Sequence, residues 1–435
     1  MSRLGAEARV VVGMTKECPP GRMMVFMSGT EGGGAARAPL LFLVADTGGG
    51  HRRAAQAVGQ ALELAYPGRF APVLGDPLGG AGAARLLRWI TGLYGPVVRR
   101  APWLWGAAYH ITNSRPAVAV LRHTLLRLAD RPAAEAVAAL SPAAIVSFHP
   151  LTGMAAVTAR NRRAPGAPVV TVVTDLATTH AAWRHADADL VLTPAAGLPV
   201  TSGFWAGPVL PRERARLRRD LGLPERGFIV LLAGGAEGTG GLGRRAAAIL
   251  RRHGDVTVVV VCGRNQRLRR RLGRLAARSG GRLTTLGFTS DMARWLRCCD
   301  VLVTKAGPGA IAEAACCGTP MLLTSHLPGQ EQGNTEFVTA AGAGRRARSV
   351  RQLVDEVGRL CADPAAVEAM RAPAARLGQP AAAADIAGLI AGLVATGPVA
   401  LATARPELTA AGGGSAARPA AAGTAAAPGP VAFGS

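Results

Sequence analysis

The chain has 435 residues and is 49% apolar, enough for two domains with full cores. Lys and Arg number 50 against 27 Asp and Glu, a charge of +23 that suits nucleic acid, an anionic membrane face or a phosphorylated substrate. No nucleic-acid module is recognisable and aromatics are only 4%, which argues against nucleic acid, while seven cysteines without a CxxC spacing indicate neither a zinc site nor a disulfide framework.

Residues 1–38 are polar, Gly-rich and aperiodic and read as a disordered segment without a signal-peptide pattern. Met14, Met23, Met24 and Met27 each offer an alternative start. The apolar run 39–45 reads as a buried parallel strand, 46–51 as a glycine turn and 53–65 as a helix. Residues 81–130 are helical and irregular. There Trp89, Trp103, Trp105 and Tyr109 mix with Arg85, Arg88, Arg99, Arg100, Arg115 and Arg122. That mixture suits an anionic membrane interface, and equally an amphipathic helix against a core.

A strand at 143–147, a helix from 151 and strands at 168–173 and 189–192 complete the first series. A linker is placed at 203–211. The second series has a strand at 228–233, a helix to 253, a strand at 256–262, an Arg-rich helix at 266–279 and a strand at 283–286. Runs at 301–304 and 321–323 are expected to close the sheet. Strands alternating with helices predict an α/β fold, and two such series predict two Rossmann-like domains, 39–205 and 206–395. Residues 386–404 carry no charge, but Gly397-Pro398 interrupts them. They read as a terminal amphipathic helix running into a disordered Ala/Gly/Pro-rich tail, 396–435, in preference to a membrane span.

Gly48-Gly49-Gly50 sits where a strand hands over to a helix. Glycine there lets backbone approach a ligand, and the helix N-terminus attracts negative charge; a plain tight turn uses the same residues. His51 follows directly and faces the crevice at the strand's carboxyl end. Gly234-Gly235 repeats this context, as a seat for a diphosphate or as a flexible loop. The densest stretch, 287–334, holds Gly287-Phe288-Thr289, then Lys305-Ala306-Gly307-Pro308-Gly309 opening a helix with Glu313, then Pro328-Gly329-Gln330-Glu331-Gln332-Gly333-Asn334. Its glycine turn can hold phosphate oxygens on backbone N–H groups. Glu313 can accept two hydrogen bonds from a ribose diol, and Gln330-Glu331 can read sugar hydroxyls.

This last stretch resembles the donor site of monogalactosyldiacylglycerol synthases and processive diacylglycerol glycosyltransferases. Their group includes the peptidoglycan lipid-linked N-acetylglucosaminyltransferase. Asp46-Thr47-Gly48-Gly49-Gly50-His51, Ser147-Phe148-His149-Pro150 and Val173-Thr174-Asp175-Leu176 with His180 and Trp183 resemble the family's amino-terminal blocks. The likeness runs in order over roughly residues 40–380.

The resemblance implies a GT-B fold, two Rossmann-like domains facing a cleft, with UDP-sugar on the second domain and a lipid acceptor on the first. Gly307, Pro308 and Gly309 would approach the diphosphate, Glu313 the ribose, and Gln330 with Glu331 the sugar. Asn334 would orient that loop, Phe288 and Thr289 would lie near uracil, and Lys305 would support the leaving group. His51 is the first candidate base, with Asp175 its alternative or its partner. Gly49, Gly50, His149, Pro150, His180 and Trp183 would line the acceptor side, His149 also reading as a turn cap.

The expected reaction is inverting transfer of galactose or glucose from UDP-galactose or UDP-glucose to diacylglycerol. Anionic membrane lipids are the expected surface, on the inner face of the cell membrane. No metal and no cofactor beyond the UDP-sugar co-substrate is expected. The competing reading is N-acetylglucosamine transfer to a polyprenyl-linked or other hydrophobic acceptor.

Overall fold

The computed structural model describes residues 36–45, 49–184, 187–194 and 198–396, and the backbone of 24–25. Asp46, Thr47 and Gly48 of the first glycine motif, the tail beyond 396 and most of 1–38 lie outside the described residues.

The first sheet contains β1 (Met24–Val25), β2 (Ala38–Leu43), β3 (Phe70–Gly75), β4 (Ala144–Ser147), β5 (Val169–Val172) and β6 (Leu190–Leu192). Their order is β1-β3-β2-β4-β5-β6, parallel throughout except for β1, which lies antiparallel to β3. The run at 39–45 is continuously apolar because successive side chains of a strand face opposite layers. Leu40 and Phe42 pack with α1 (Gly50–Ala65) on one face. Beyond β3 the chain runs through α2 (Arg85–Arg100), α3 (Pro102–Thr112), α4 (Arg115–His123), α5 (Asp130–Leu140) and α6 (Gly153–Arg163), and α5 and α6 cover the other face. Leu41 and Leu43 meet residues of α5 and α6 there.

A short connection leads through α7 (Pro211–Asp220) to the second sheet. It contains β7 (Phe228–Ala233), β8 (Val256–Val261), β9 (Leu283–Leu286), β10 (Val301–Thr304), β11 (Met321–Leu323) and β12 (Gly344–Arg346). The order is β12-β11-β10-β7-β8-β9, all parallel. The helices between them are α8 (Leu242–Arg252), α9 (Gln266–Ala276), α10 (Met292–Cys298), α11 (Pro308–Cys316) and α12 (Gln332–Ala340). After β12 come α13 (Val350–Ala362), α14 (Pro364–Leu377) and α15 (Ala382–Thr396).

Three expectations need correction. Residues 1–38 are not wholly without structure, since β1 pairs with β3 and β2 begins at Ala38. Residues 321–323 do not close the second sheet: β11 lies between β10 and β12, and β12 forms the edge. The assignment of 206–395 to one domain also fails at its end. The apolar stripe of α15, Ile386, Ile390 and Leu393 with Ala383, Ala387 and Ala391, joins the core of β2 and α1 in the first domain. The stretch Pro364–Thr396 is apolar and long enough to cross a membrane, yet this stripe is already buried against protein.

Candidate active site between the two sheets

The ionisable groups singled out above follow the carboxyl ends of parallel strands, where crevices form in α/β sheets. His51 follows β2, His149 follows β4, Asp175 follows β5, Lys305 follows β10 and Glu331 follows β11. Side chains from the two sheets meet there, so these ends face one another across a cleft.

On the first wall, Gly49 takes a left-handed conformation (φ 83°) as the residue before α1, and His51 lies in the first turn. Gly50 leaves open space where a side chain would be. The His51 Nδ1 is 2.7 Å from Thr174 Oγ1. Its ring meets His149 edge-on at 4.5 Å between centroids, with Trp183 at 6.3 Å. Burial lowers the pKa of His51, opposed by the charge of Asp175 and by the Phe148 carbonyl.

Asp175 is only 3% exposed. Trp183 Nε1 donates to its Oδ2 at 2.6 Å, and Gln330 Nε2 of the opposite wall donates to its Oδ1 at 3.2 Å. The His149 Nδ1 accepts from Leu151 N–H at 3.2 Å, holding the turn through Pro150. Burial, and then the neighbouring His51, push its pKa well down. His180 is fixed at both ring nitrogens. Nδ1 accepts from Ala182 N–H at 3.1 Å, and Nε2 lies 3.1 Å from Thr112 Oγ1 at the end of α3.

On the second wall, Lys305 Nζ donates to Glu331 Oε1 at 2.5 Å, and Leu327 N–H donates to Oε2 at 2.9 Å. Gly307 precedes α11 and Pro308 opens it, and a side chain on Gly309 would meet nothing within 4 Å, so a ligand can approach the backbone there. Glu313, one turn further, pairs with Arg53 of α1 at 3.2 Å. Burial raises the Glu313 pKa and Arg53 opposes the rise. Asn334, 1% exposed, accepts from Ala177 N–H at 3.1 Å and donates to the Ala306 carbonyl at 2.9 Å. It thereby ties the glycine turn before α11 to the first domain.

Gly234 and Gly235 follow β7, whose last residue Ala233 pairs with Thr304 of β10 beside Lys305. A side chain on Gly234 would lie 2.1 Å from the Thr239 carbonyl, so the loop's own closure demands glycine there. Phe288 and Thr289 follow β9, separated from β10 by β7 and β8, with Phe288 exposed beneath the Arg264 guanidinium at 5.2 Å. Thr289 Oγ1 accepts from Asp291 N–H at 3.0 Å.

The aromatic region divides in two. Trp89 (65% exposed) and Trp103 (70%) point outward with Leu86, Leu104 and Ile111. Tyr94, Trp105 and Tyr109 turn inward. Burial and the charges of Glu331 and Asp175 raise the Tyr94 pKa, so its phenol stays protonated. The face of α3 lies on the Pro328–Gln330 turn: a side chain on Gly329 would come 2.5 Å from the Tyr109 ring. Tyr94 and Arg53 carry no role in the sequence pattern, and Thr174 enters it only as part of the Val173-Thr174-Asp175-Leu176 block. Only the i, i+4 spacing of Trp105 and Tyr109 around Gly106 hinted that one face of α3 is packed. Among the described residues no group of His, Cys, Asp and Glu is arranged to hold a metal ion.

Two α/β sheets with their strand ends opposed across a polar cleft give this chain the GT-B fold. MurG of Acinetobacter baumannii shares the fold, with TM-score 0.52 and 19% identity, over 82% of this chain and 99% of that one. Residues 51–198 match the family model for monogalactosyldiacylglycerol (MGDG) synthase, and 235–363 match that for glycosyl transferases group 1. The probable chloroplastic monogalactosyldiacylglycerol synthase 2 of Oryza sativa subsp. indica is 31% identical over 353 residues, 75% of this chain and 74% of the relative. The chloroplastic monogalactosyldiacylglycerol synthase 1 of Arabidopsis thaliana is 31% identical over 376 residues, 78% of this chain and 68% of the relative. The chain belongs to the monogalactosyldiacylglycerol synthase family.

Proposed function

We propose that the protein transfers a hexose, galactose or glucose, from a UDP-sugar to diacylglycerol, with inversion, while docked on a membrane. The observation that carries this reading is the opposition of Asp175 and Gln330: the first-domain carboxylate beside His51 touches the very turn that ends in Glu331. The names of the curated relatives supply galactose and diacylglycerol.

In this reading the acceptor hydroxyl enters beside His51. Thr174 donates toward the Phe148 carbonyl at 3.5 Å and accepts from His51 Nδ1–H, which leaves the Nε2 lone pair for the acceptor proton. The acceptor oxygen attacks the anomeric carbon, the bond from that carbon to the β-phosphate oxygen breaks, and UDP departs. Asp175 stabilises the imidazolium that forms. The first turn of α11 and Lys305 face the departing charge. Glu331 and Gln330 read the sugar and Glu313 the ribose. The outward Trp89, Trp103, Leu104 and Ile111 enter the interface of an anionic inner membrane face.

The test is mass analysis of lipids formed from diacylglycerol with UDP-galactose, UDP-glucose or UDP-N-acetylglucosamine. A hexosyl-diacylglycerol is expected, lost in His51→Ala and Glu331→Ala variants that still fold. Product only on a polyprenyl-linked acceptor, or free sugar released without any acceptor, refutes the reading.

A further inference from the structure

The first turn of α1 carries His51-Arg52-Arg53. From there the Arg53 side chain crosses the cleft, and its Nη1 lies 3.2 Å from Glu313 Oε1 of α11. Arg53 is 44% exposed and Glu313 13%, so the pair sits at the cleft mouth with its carboxylate turned inward. Lys305 and Glu331 form a second such pair deeper in the second wall. The carboxylates proposed above for ribose and for sugar are therefore each covered by a cation, one cation from each domain.

A nucleotide sugar presents the complementary groups. Its ribose and hexose hydroxyls donate hydrogen bonds, and its diphosphate needs cations. We infer that the Arg53–Glu313 pair occupies the place of the donor: the ribose diol takes over Glu313, and the Arg53 guanidinium moves to the diphosphate. The inference rests on the UDP-sugar reading of the previous subsection and extends it, because the acceptor domain then completes the nucleotide site.

Chemistry favours the exchange. Breaking a half-buried ion pair is costly when a carboxylate is left bare, but a diol restores two hydrogen bonds to Glu313. Arginine stays charged and its planar fork matches phosphate oxygens. The shift is short. Glu313 lies four residues past Gly309, about 6 Å along the helix at 1.5 Å per residue. The guanidinium slides one turn along α11 toward its N-terminus, where negative charge is already favoured. Because Arg53 lies two residues past His51, the same helical turn then carries both the candidate base and a cation for the leaving group.

Calorimetric titration of wild-type protein and an Arg53→Gln variant with UDP and, separately, with uridine tests this. Uridine frees Glu313 but has no phosphate. Arg53→Gln is expected to weaken UDP binding about tenfold or more, the worth of a charge-assisted contact, while uridine binds at least as tightly as to wild type. Arg53→Lys, tested alongside, recovers part of the UDP affinity. Equal losses for UDP and uridine mean that Arg53 only holds the domains together, and unchanged UDP binding means that it never reaches the phosphates; either overturns the inference alone. Failure of the wild-type protein to bind UDP overturns the donor reading and this inference with it.

Discussion

Trp183 donates its indole N–H to Asp175 Oδ2 at 2.6 Å, leaving Oδ1 to Gln330 from the other domain. One carboxylate is thus oriented by its own domain and engaged by the opposite one. Trp183→Phe keeps an aromatic side chain but removes the five-membered ring and with it the donor. The lost hydrogen bond to a charged group predicts a fall in kcat of about ten- to a hundredfold. KM for the UDP-sugar should change little, because Trp183 lies on the acceptor wall. Steady-state kinetics at saturating acceptor check this, and a change confined to the donor KM contradicts it.

The pH dependence follows from buried imidazoles. Burial lowers the pKa values of His51, His149 and His180 from 6.5. Between each lowered value and 6.5 the unfolded chain binds more protons than the folded one. Stability is therefore complete above pH 6.5 and declines as pH falls below it. Thermal melts should show this acid limb, and His149→Asn should flatten it. His51 stays neutral through the same range, so the acid inflection of kcat/KM should fall below 6.5. An inflection at or above 6.5 removes His51 as the base.

Gly329 has φ +80° and faces the Tyr109 ring at a distance that admits no side chain. Gly329→Ala combines backbone strain with displacement of α3, a destabilisation of about 1–3 kcal/mol. Because the turn carries Gln330 and Glu331, donor KM should rise as well. A melting temperature and a donor KM both equal to wild type argue against packing of α3 on this turn.

Ile390 is fully buried where α15 meets the first domain. Ile390→Ala is expected to cost about 2–5 kcal/mol, seen as a lower denaturation midpoint. An exposed or membrane-bound α15 would make the change almost neutral.

Much of the fold is legible in the sequence where strands are covered on both faces. β2 and β7 read as apolar runs, and β8 as one broken only by Thr257, because each lies inside a sheet with helices on both sides. β3 is hidden by Pro72 and Gly75, and β12 by Arg345 and Arg346, residues that an edge or near-edge strand tolerates. Most candidate site residues were legible for a similar reason: chemistry gathers where strands end. Their partners were not. Arg53 and Glu313 lie 260 positions apart, and their meeting depends on how two whole domains face each other. Likewise Trp89 and Tyr94 look alike as aromatics in an amphipathic helix, and only packing sends one to solvent and the other to the cleft.

The position of α15 bears on how the molecule is made. Its apolar stripe completes a core whose other members were translated hundreds of residues earlier. A nascent chain emerging from the ribosome carries that face of the first domain uncovered until residues 382–396 leave the exit tunnel. The first half is thus prone to aggregate during synthesis, and shortening the chain before residue 382 should yield insoluble protein even though every proposed catalytic group is still present.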